Sequence, residues 1–419
     1  MKDASGLETE ALNAEVPNAH LAEKRFCEFF AGIGLVREAL GASGWKCIYA
    51  NDIEPKKREM YVNRFGDDGH FHLGDVHDTA NVVARITQRP FLATASFPCT
   101  DLSLAGHWRG FEGKHSSAFF GFVDTLEALG ERKPPMILLE NVVGFITSKG
   151  GKDFVAAADV LGSLGYRLDA FVIDARSFVP QSRPRVFVVG VHRNFEIPFM
   201  TIQPDSDWFA NDWNRLMERA PASLRPAKLI LLMKENRIPA GWGAFDLQSP
   251  VRQHYRIEDF IDADESQDWW DQAAVSKHFE MMSDLHRNEV MSRLNQGSTH
   301  IGTIYRRKRN EKTMAEVRFD GTAGCLRTPR GGSARQIVIV IHDGSMRMRW
   351  MSPREYARLQ GAGDFPLVDK TTQNLFGFGD AVCVPVVRWV DDRVLTPVFE
   401  YVHDSIRTEP EQSTFAESK

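Results

Sequence analysis

Residues 26–34 read Phe-Cys-Glu-Phe-Phe-Ala-Gly-Ile-Gly. The apolar run predicts a buried strand, and a helix over Leu35–Leu40 is expected to follow. Glycines between strand and helix allow a tight turn and close backbone approach to a ligand. Asp52 ends the next predicted strand, twenty residues after Gly32. At that spacing an acid reaches a ribose hydroxyl pair. A further acid, Asp75 in Leu73-Gly-Asp-Val76, ends the next short segment. Together these point to an adenosine-containing cofactor. Glu38 and Ala39 stand where a dinucleotide fingerprint has its third glycine, so a cofactor without a pyrophosphate fits better.

Working outward, short apolar runs alternate with helix-length amphipathic stretches from Lys24 to about residue 195. The runs are Phe26–Phe30, Cys47–Ala50, Phe91–Ser96, Met136–Leu139, Ala170–Asp174 and Val186–Val191. This alternation predicts an α/β fold with a mostly parallel sheet covered on both faces. After residue 196 the alternation stops and tryptophans become frequent (Trp208, Trp213, Trp242, Trp269 and Trp270). The expected organisation is a flexible tail over 1–23, a cofactor-binding catalytic domain over 24–200 and a smaller domain over 201–345. Residues 346–403 return to the catalytic domain, and 404–419 form a second tail. Trp269 and Trp270 are expected to anchor the core of the smaller domain.

The 419 residues are 43% hydrophobic and 26% charged, enough for a sizeable core and unlike a disordered chain. A formal charge of −5 excludes a bulk polycation but not a local basic patch. No apolar run reaches the roughly 18 residues of a membrane span, and the start lacks a secretory pattern. The five cysteines, Cys27, Cys47, Cys99, Cys325 and Cys383, form no CxxC pair. A reducing, cytoplasmic setting is expected, with no disulfide framework and no metal.

Chemistry is suggested at three strand ends, where open α/β sheets bind ligands. Phe97-Pro-Cys99 follows one run directly, which places Cys99 where a nucleophile belongs; a buried structural cysteine is the competing reading. The following stretch, Thr100–Ser117, carries Gly106, Gly110 and Gly113 and reads as a mobile lid. The next strand ends Leu139-Glu-Asn-Val142. With no cation beside it in sequence, Glu140 is expected to hold a raised pKa and to donate a proton. Gln181-Ser-Arg-Pro-Arg185 precedes another strand. Arg183 and Arg185 point the same way, to bind a phosphate or a base carbonyl; a solvated surface pair is the alternative.

In this order the pieces resemble the cytosine-5 DNA methyltransferase family, bacterial or phage restriction–modification type. The resemblance rests on Phe29-Phe-Ala-Gly-Ile-Gly34, Asn51-Asp52, Gly74-Asp-Val76, Ser96-Phe-Pro-Cys99, Glu140-Asn-Val142 and Gln181-Ser-Arg-Pro-Arg185. It resumes at Ser352-Pro-Arg-Glu-Tyr-Ala-Arg-Leu-Gln-Gly361 and Phe378-Gly-Asp-Ala-Val382. It implies a Rossmann-like, seven-stranded S-adenosylmethionine-dependent methyltransferase sheet with a smaller target-recognition domain. It also implies roles. Phe30, Gly32 and Gly34 would line the methionine end, Asp52 would hold the ribose and Asp75 the adenine amine. Ile53, Val76, Pro98, Asp380 and Val382 would complete the cofactor site. Cys99 would be the nucleophile, Glu140 would serve ring nitrogen 3, and Arg185 would hold the base carbonyl with Arg183 supporting it. Three positions depart from the pattern: Thr100-Asp101 where the family usually has Gln, Leu35 where a Gly is common, and Asp380 where Asn is usual. Asp380 adds a charge near the cofactor.

Residues 301–335 carry nine Lys or Arg against three acids. Concentrated charge of this kind suits phosphate contacts, and Arg306, Arg307, Arg309, Arg327 and Arg330 are the expected DNA-binding residues. Double-stranded DNA is the expected partner, with a restriction endonuclease acting on the same site without a stable complex, and the chain is expected to act as a monomer. RNA methylation and a catalytically silent DNA-binding relative are the competing functions. A dehydrogenase explains neither Pro98-Cys99 nor Glu140-Asn141. Amino-methyltransferases need a Pro-Pro-aromatic motif that Ser96-Phe-Pro-Cys99 lacks.

Overall fold

The strands follow the apolar runs. A computed structural model describes residues 23–98, 118–204, 211–264, 268–309, 311–328 and 335–408. Seven strands, β1 (Arg25–Phe29), β2 (Lys46–Asp52), β3 (Phe71–Leu73), β4 (Leu92–Ala95), β5 (Met136–Val142), β6 (Tyr166–Asp174) and β7 (Pro184–His192), form one sheet. Their order is β3-β2-β1-β4-β5-β7-β6. β7 runs antiparallel to β5 and β6, and the other pairings are parallel. This is the expected seven-stranded, mostly parallel sheet. β3, the short segment expected before Asp75, has only three residues, Phe-His-Leu, too few to show a period.

The strands read as continuous apolar runs because both faces are covered. Met136 and Leu138 enter one core, and Ile137 and Leu139 enter the other. Phe171 and Ile173 of β6 likewise oppose Ala170 and Val172. The first core also takes in Leu35, Val36 and Leu40 of the first helix and Val384, Val387 and Val390 of the returning C-terminal segment. Trp45 Nε1 donates to the buried Asp391 (2.9 Å), fixing that return. The last helix, Thr396–Thr408, runs past the expected start of the tail at 404. Residues 1–22 and 409–419 lie outside the described residues.

Residues 200–204 and 211–247 stay with the main sheet. β8 (Met200–Ile202) pairs with β9 (Gly243–Phe245). Trp213, Leu216, Leu232 and Trp242 share the second core with the sheet, and Trp242 stacks on Phe154. The fully buried Arg225 donates to both oxygens of Asp169 on β6, and Asp169 accepts from Phe245 N. An ion pair removed from water in this way needs every such partner.

A second sheet contains β10 (His300–Arg309), β11 (Lys312–Arg318), β12 (Ile337–His342) and β13 (Ser345–Trp350), in antiparallel order β11-β10-β12-β13. One face, with Ile304, Ile339, Ile341 and Met348, shares a core with Val275 and Val290 of the helices Gln272–Glu280 and Asp284–Leu294. The other, with Ile301, Val338 and Val340, joins the first core of the main sheet. Trp270 packs against the four-stranded unit beside Trp350, and Trp269 packs against the first core. Among the described residues no helix is long and apolar enough to cross a membrane.

Candidate active site

Strand order reverses between β1 and β4, and a cleft of about 1000 Å³ opens at the carboxyl ends of the parallel strands. A switch point is where such sheets bind ligands. After β1 the backbone turns through Phe30 (φ 56°), Gly32 (φ 58°) and Gly34 (φ 84°). Left-handed backbone strains a residue with a Cβ, so Phe30 is held there by its surroundings. Gly34 is required for a second reason: a Cβ would lie 2.5 Å from the Phe65 ring. Asp52, at the end of β2, accepts from Gly32 N and Glu54 N (both 2.9 Å). One carboxylate therefore orders both the glycine turn and the start of the next helix. Ile53 beside it is 67% exposed, an apolar side chain left bare on the cleft wall.

Asn51 donates to the carbonyls of His72 (3.1 Å) and Gly74 (2.9 Å), which sets the turn carrying Asp75 and Val76. Asp75 is exposed and Val76 buried, and both line the cleft. Across the cleft Asp380 pairs with Lys57 (3.2 Å). The charge that departs from the family pattern thus has a counter-ion from the helix Pro55–Phe65. Val382 is buried in the same wall.

β4 leads to the buried Phe97 and the exposed Pro98. Cys99, Thr100, Asp101 and the expected lid up to Ser117 lie outside the described residues. The buried Asn141 donates to Phe97 O (3.0 Å), tying the chain just before residue 99 to the end of β5. Next to Asn141, Glu140 meets a cation after all: Arg185 Nε is 3.1 Å from its Oε1. The expectation of an acid without a neighbouring cation is corrected. Sequence distance hid the pair, because β7 lies antiparallel beside β5 and sets Arg185 opposite Val142.

The reading of Arg183 and Arg185 as a solvated surface pair is also corrected. Arg183 is only 3% exposed. It donates to Leu326 O (2.8 Å), Ala381 O (2.7 Å) and Gly379 O (3.3 Å). Gln181, fully buried, donates to Leu359 O (2.7 Å) and accepts from Leu326 N (3.1 Å). Gln181-Ser-Arg-Pro-Arg185 is therefore a clasp. Gln181 and Arg183 bind three distant segments together, while Arg185 faces the cleft beside Glu140. Gly379 fits the clasp because a Cβ there would sit 2.6 Å from the backbone of Arg327.

Sequence reasoning passed over three residues. Cys325 lines the cleft, with Sγ 3.5 Å from Arg183 Nη1 and 3.8 Å from Arg185 Nη2. Burial pushes its thiol up, but the guanidiniums of Arg183, Arg185 and Arg327 outweigh that and leave it below the ordinary thiol value. By contrast, burial pushes Cys47 and Cys383 up to about 12. Glu28, inside the opening motif, is buried on the cleft wall, and its Oε2 has no hydrogen-bond partner. Lys57 is the third. A signal existed only for Glu28, an acid in an otherwise apolar strand.

The basic segment is less free than its composition suggests. Arg306 stacks on Trp350, 4.7 Å from the ring centroid, and burial lowers its pKa. Its guanidinium is held against an indole rather than standing open on the sheet. Arg307 and Arg309 lie on the other face of β10, largely exposed, and share Glu316. Arg327 is exposed at the cleft, and Arg330 lies outside the described residues.

Arg183→Lys is expected to lower the unfolding free energy by about 2–4 kcal/mol, because a single ammonium nitrogen cannot span carbonyls served by two guanidinium nitrogens and each charge-assisted bond is worth about 1.5–3 kcal/mol. Urea denaturation measures the loss. Hydrogen exchange should quicken at residues 325–328 and 379–382, and an unchanged exchange pattern there would contradict the clasp.

The chain is similar to known proteins. Residues 24–395 match the family described as C-5 cytosine-specific DNA methylase. Type II methyltransferase M.HhaI of Haemophilus parahaemolyticus is 28% identical over 190 residues, 44% of this chain and 55% of that protein. Type II methyltransferase M.HpaII of Haemophilus parainfluenzae is 33% identical over 181 residues, 42% of this chain and 49% of that protein. The matched region spans about half the length of these relatives. The crystal structure of S. pombe Dnmt2 methyltransferase has the same fold, with a TM-score of 0.54 at 17% identity, over 90% of this chain and 99% of that one. With a match over most of its length, the chain belongs to the C-5 cytosine-specific DNA methylase family.

Proposed function

We propose that this chain is a sequence-specific DNA methyltransferase acting on carbon 5 of a cytosine turned out of the duplex. One observation carries the reading. The glycine turn with Asp52 and Asp75 and the Glu140–Arg185 pair, beside Pro98, line a single cleft. Its volume of about 1000 Å³ is at the upper end for one small ligand, and leaves space for a cofactor and a base together.

The residues present fit S-adenosylmethionine, which supplies an electrophilic methyl group when bound. The unpartnered oxygen of Glu28 suits a cationic ligand, and the bare Ile53 suits an adenine face. Phe30, Gly32 and Gly34 enclose the methionine end, Asp52 takes the ribose hydroxyls and Asp75 the adenine amine. Ile53 and Val76 flank the ring, and Pro98, Asp380 and Val382 close the wall.

Carbon 5 of cytosine is a poor nucleophile. The thiolate of Cys99 adds to carbon 6, and Glu140 holds the proton at nitrogen 3. The displaced electron pair moves to carbon 5, which then takes the methyl group. Loss of the carbon 5 proton expels the thiolate and restores the ring. Arg185 orients Glu140 through Nε and offers its remaining donors to the base carbonyl, while Arg183 acts only by positioning. Flipping the base costs a few kcal/mol, met by contacts from the second domain. Within 201–345, residues 211–247 belong with the main sheet and recognition rests on the four-stranded unit. DNA so methylated resists an endonuclease reading the same sequence.

Two outcomes are expected. Duplex DNA carrying 5-fluorocytosine at the target should trap the enzyme in a complex that survives denaturation, and Cys99→Ala should abolish the trap; a trapped Cys99→Ala protein would remove Cys99 as the nucleophile. Replacing Arg307 and Arg309 with Ala should reduce the slope of log K against log salt by about two, because each phosphate contact contributes about 0.9. An unchanged slope would place the DNA elsewhere.

A further inference from the structure

Glu28 has no place in the mechanism above, yet it is the most confined acid in the cleft. It is 2% exposed, and its Oε2 meets no donor. It sits on β1 two residues before Phe30, and both residues line the cleft. Backbone N–H groups of Val36 and Arg37 are directed at it. The titratable and charged groups that act on it are Arg37 from the first helix, Asp52 and Cys47 from β2, and Tyr61 from the helix Pro55–Phe65. Arg37 is already engaged with Tyr61 (3.1 Å) and His70 and stacks on Phe65. On the other side, β4 contributes the uncharged Thr94 opposite Glu28.

A buried acid without a full set of donors is costly to ionise. Burial pushes the Glu28 carboxyl up to about 8, with Asp52 adding to the effect against the opposing pull of Arg37. The missing partner is a positive charge. The methyl donor brings one as a sulfonium, and the product left after transfer has a neutral sulfur. Apart from that charge and one methyl group the two are alike, so charge is the main handle for telling them apart.

We propose that Glu28 is a specificity-determining residue that is neutral in the empty cleft, ionises when the sulfonium cofactor enters, and is neutral again once only the thioether product remains. This rests on the S-adenosylmethionine reading of the cleft. Binding then releases a proton, and methyl transfer removes the charge that retained the ligand. The sign follows from linkage. A carboxyl whose pKa falls on binding strengthens binding fully above its free-state pKa. Affinity therefore weakens as pH falls below about 8, by up to roughly tenfold per unit.

The test is calorimetry of the full chain from pH 6 to 8.5 in buffers of different ionisation enthalpy. The probes are S-adenosylmethionine, S-adenosylhomocysteine, and sinefungin, in which an amine-bearing carbon replaces the charged sulfur. At pH 7 about one proton should leave per S-adenosylmethionine or sinefungin bound, and clearly fewer per S-adenosylhomocysteine. Glu28→Gln, which matches the protonated acid in shape, should abolish the excess release and flatten the pH dependence. It should also reduce the preference for the sulfonium over the thioether at pH 8.5. Equal proton release for the three ligands in the wild-type chain would overturn the proposal and leave the cofactor reading standing. Release retained in Glu28→Gln would overturn it as well. Failure of S-adenosylmethionine to bind at any pH would overturn both.

Discussion

The architecture of the cleft depends on the burial of one guanidinium. Arg183 is removed from water, and its Nη1 and Nη2 donors face carbonyls at 326, 379 and 381. Such a group must be satisfied where it lies, so those segments cannot drift without stranding a charge. Leu326 belongs to the stretch joining the four-stranded unit's β11 and β12, and Gly379 and Ala381 belong to the C-terminal return. β7, which carries Arg183, pairs directly with β5, which carries Glu140. One side chain thus couples the four-stranded unit, the C-terminal return and the strand next to that of Glu140.

The polar groups of the cleft are ordered from behind in the same way. Asp52 holds the glycine turn, Asn51 holds the turn of Asp75, and Asn141 holds the chain before residue 99. In each case a buried side chain fixes backbone, and the fixed backbone presents the neighbouring functional group. Preorganisation of this kind avoids spending binding energy on assembling the site. Glu28 is the exception, an acid on the wall with an oxygen that the protein leaves unanswered.

Much of the fold was legible because its cause is local. Strands covered on both faces must be apolar throughout, and glycines favour backbone with positive φ, so the runs and the motif at 26–34 were readable. The order of the motifs also exposed the family. What could not be read was pairing across long sequence distances. Arg185 reaches Glu140, Lys57 reaches Asp380, and Arg306 reaches Trp350 only after the chain has folded. Composition counted Arg306 as a free cation, whereas packing uses it as a plate over an indole. Cys325 looked unremarkable in Gly-Cys-Leu-Arg until two arginines converged on it.

The proposed reaction is methylation of cytosine in DNA at a defined sequence. The most direct measurement is incubation of the chain with unmethylated genomic DNA and S-adenosylmethionine, followed by bisulfite sequencing. Protected cytosines are expected at one short recurring sequence, each modified at carbon 5. DNA left wholly convertible, or labelled methyl appearing in RNA instead, would contradict it.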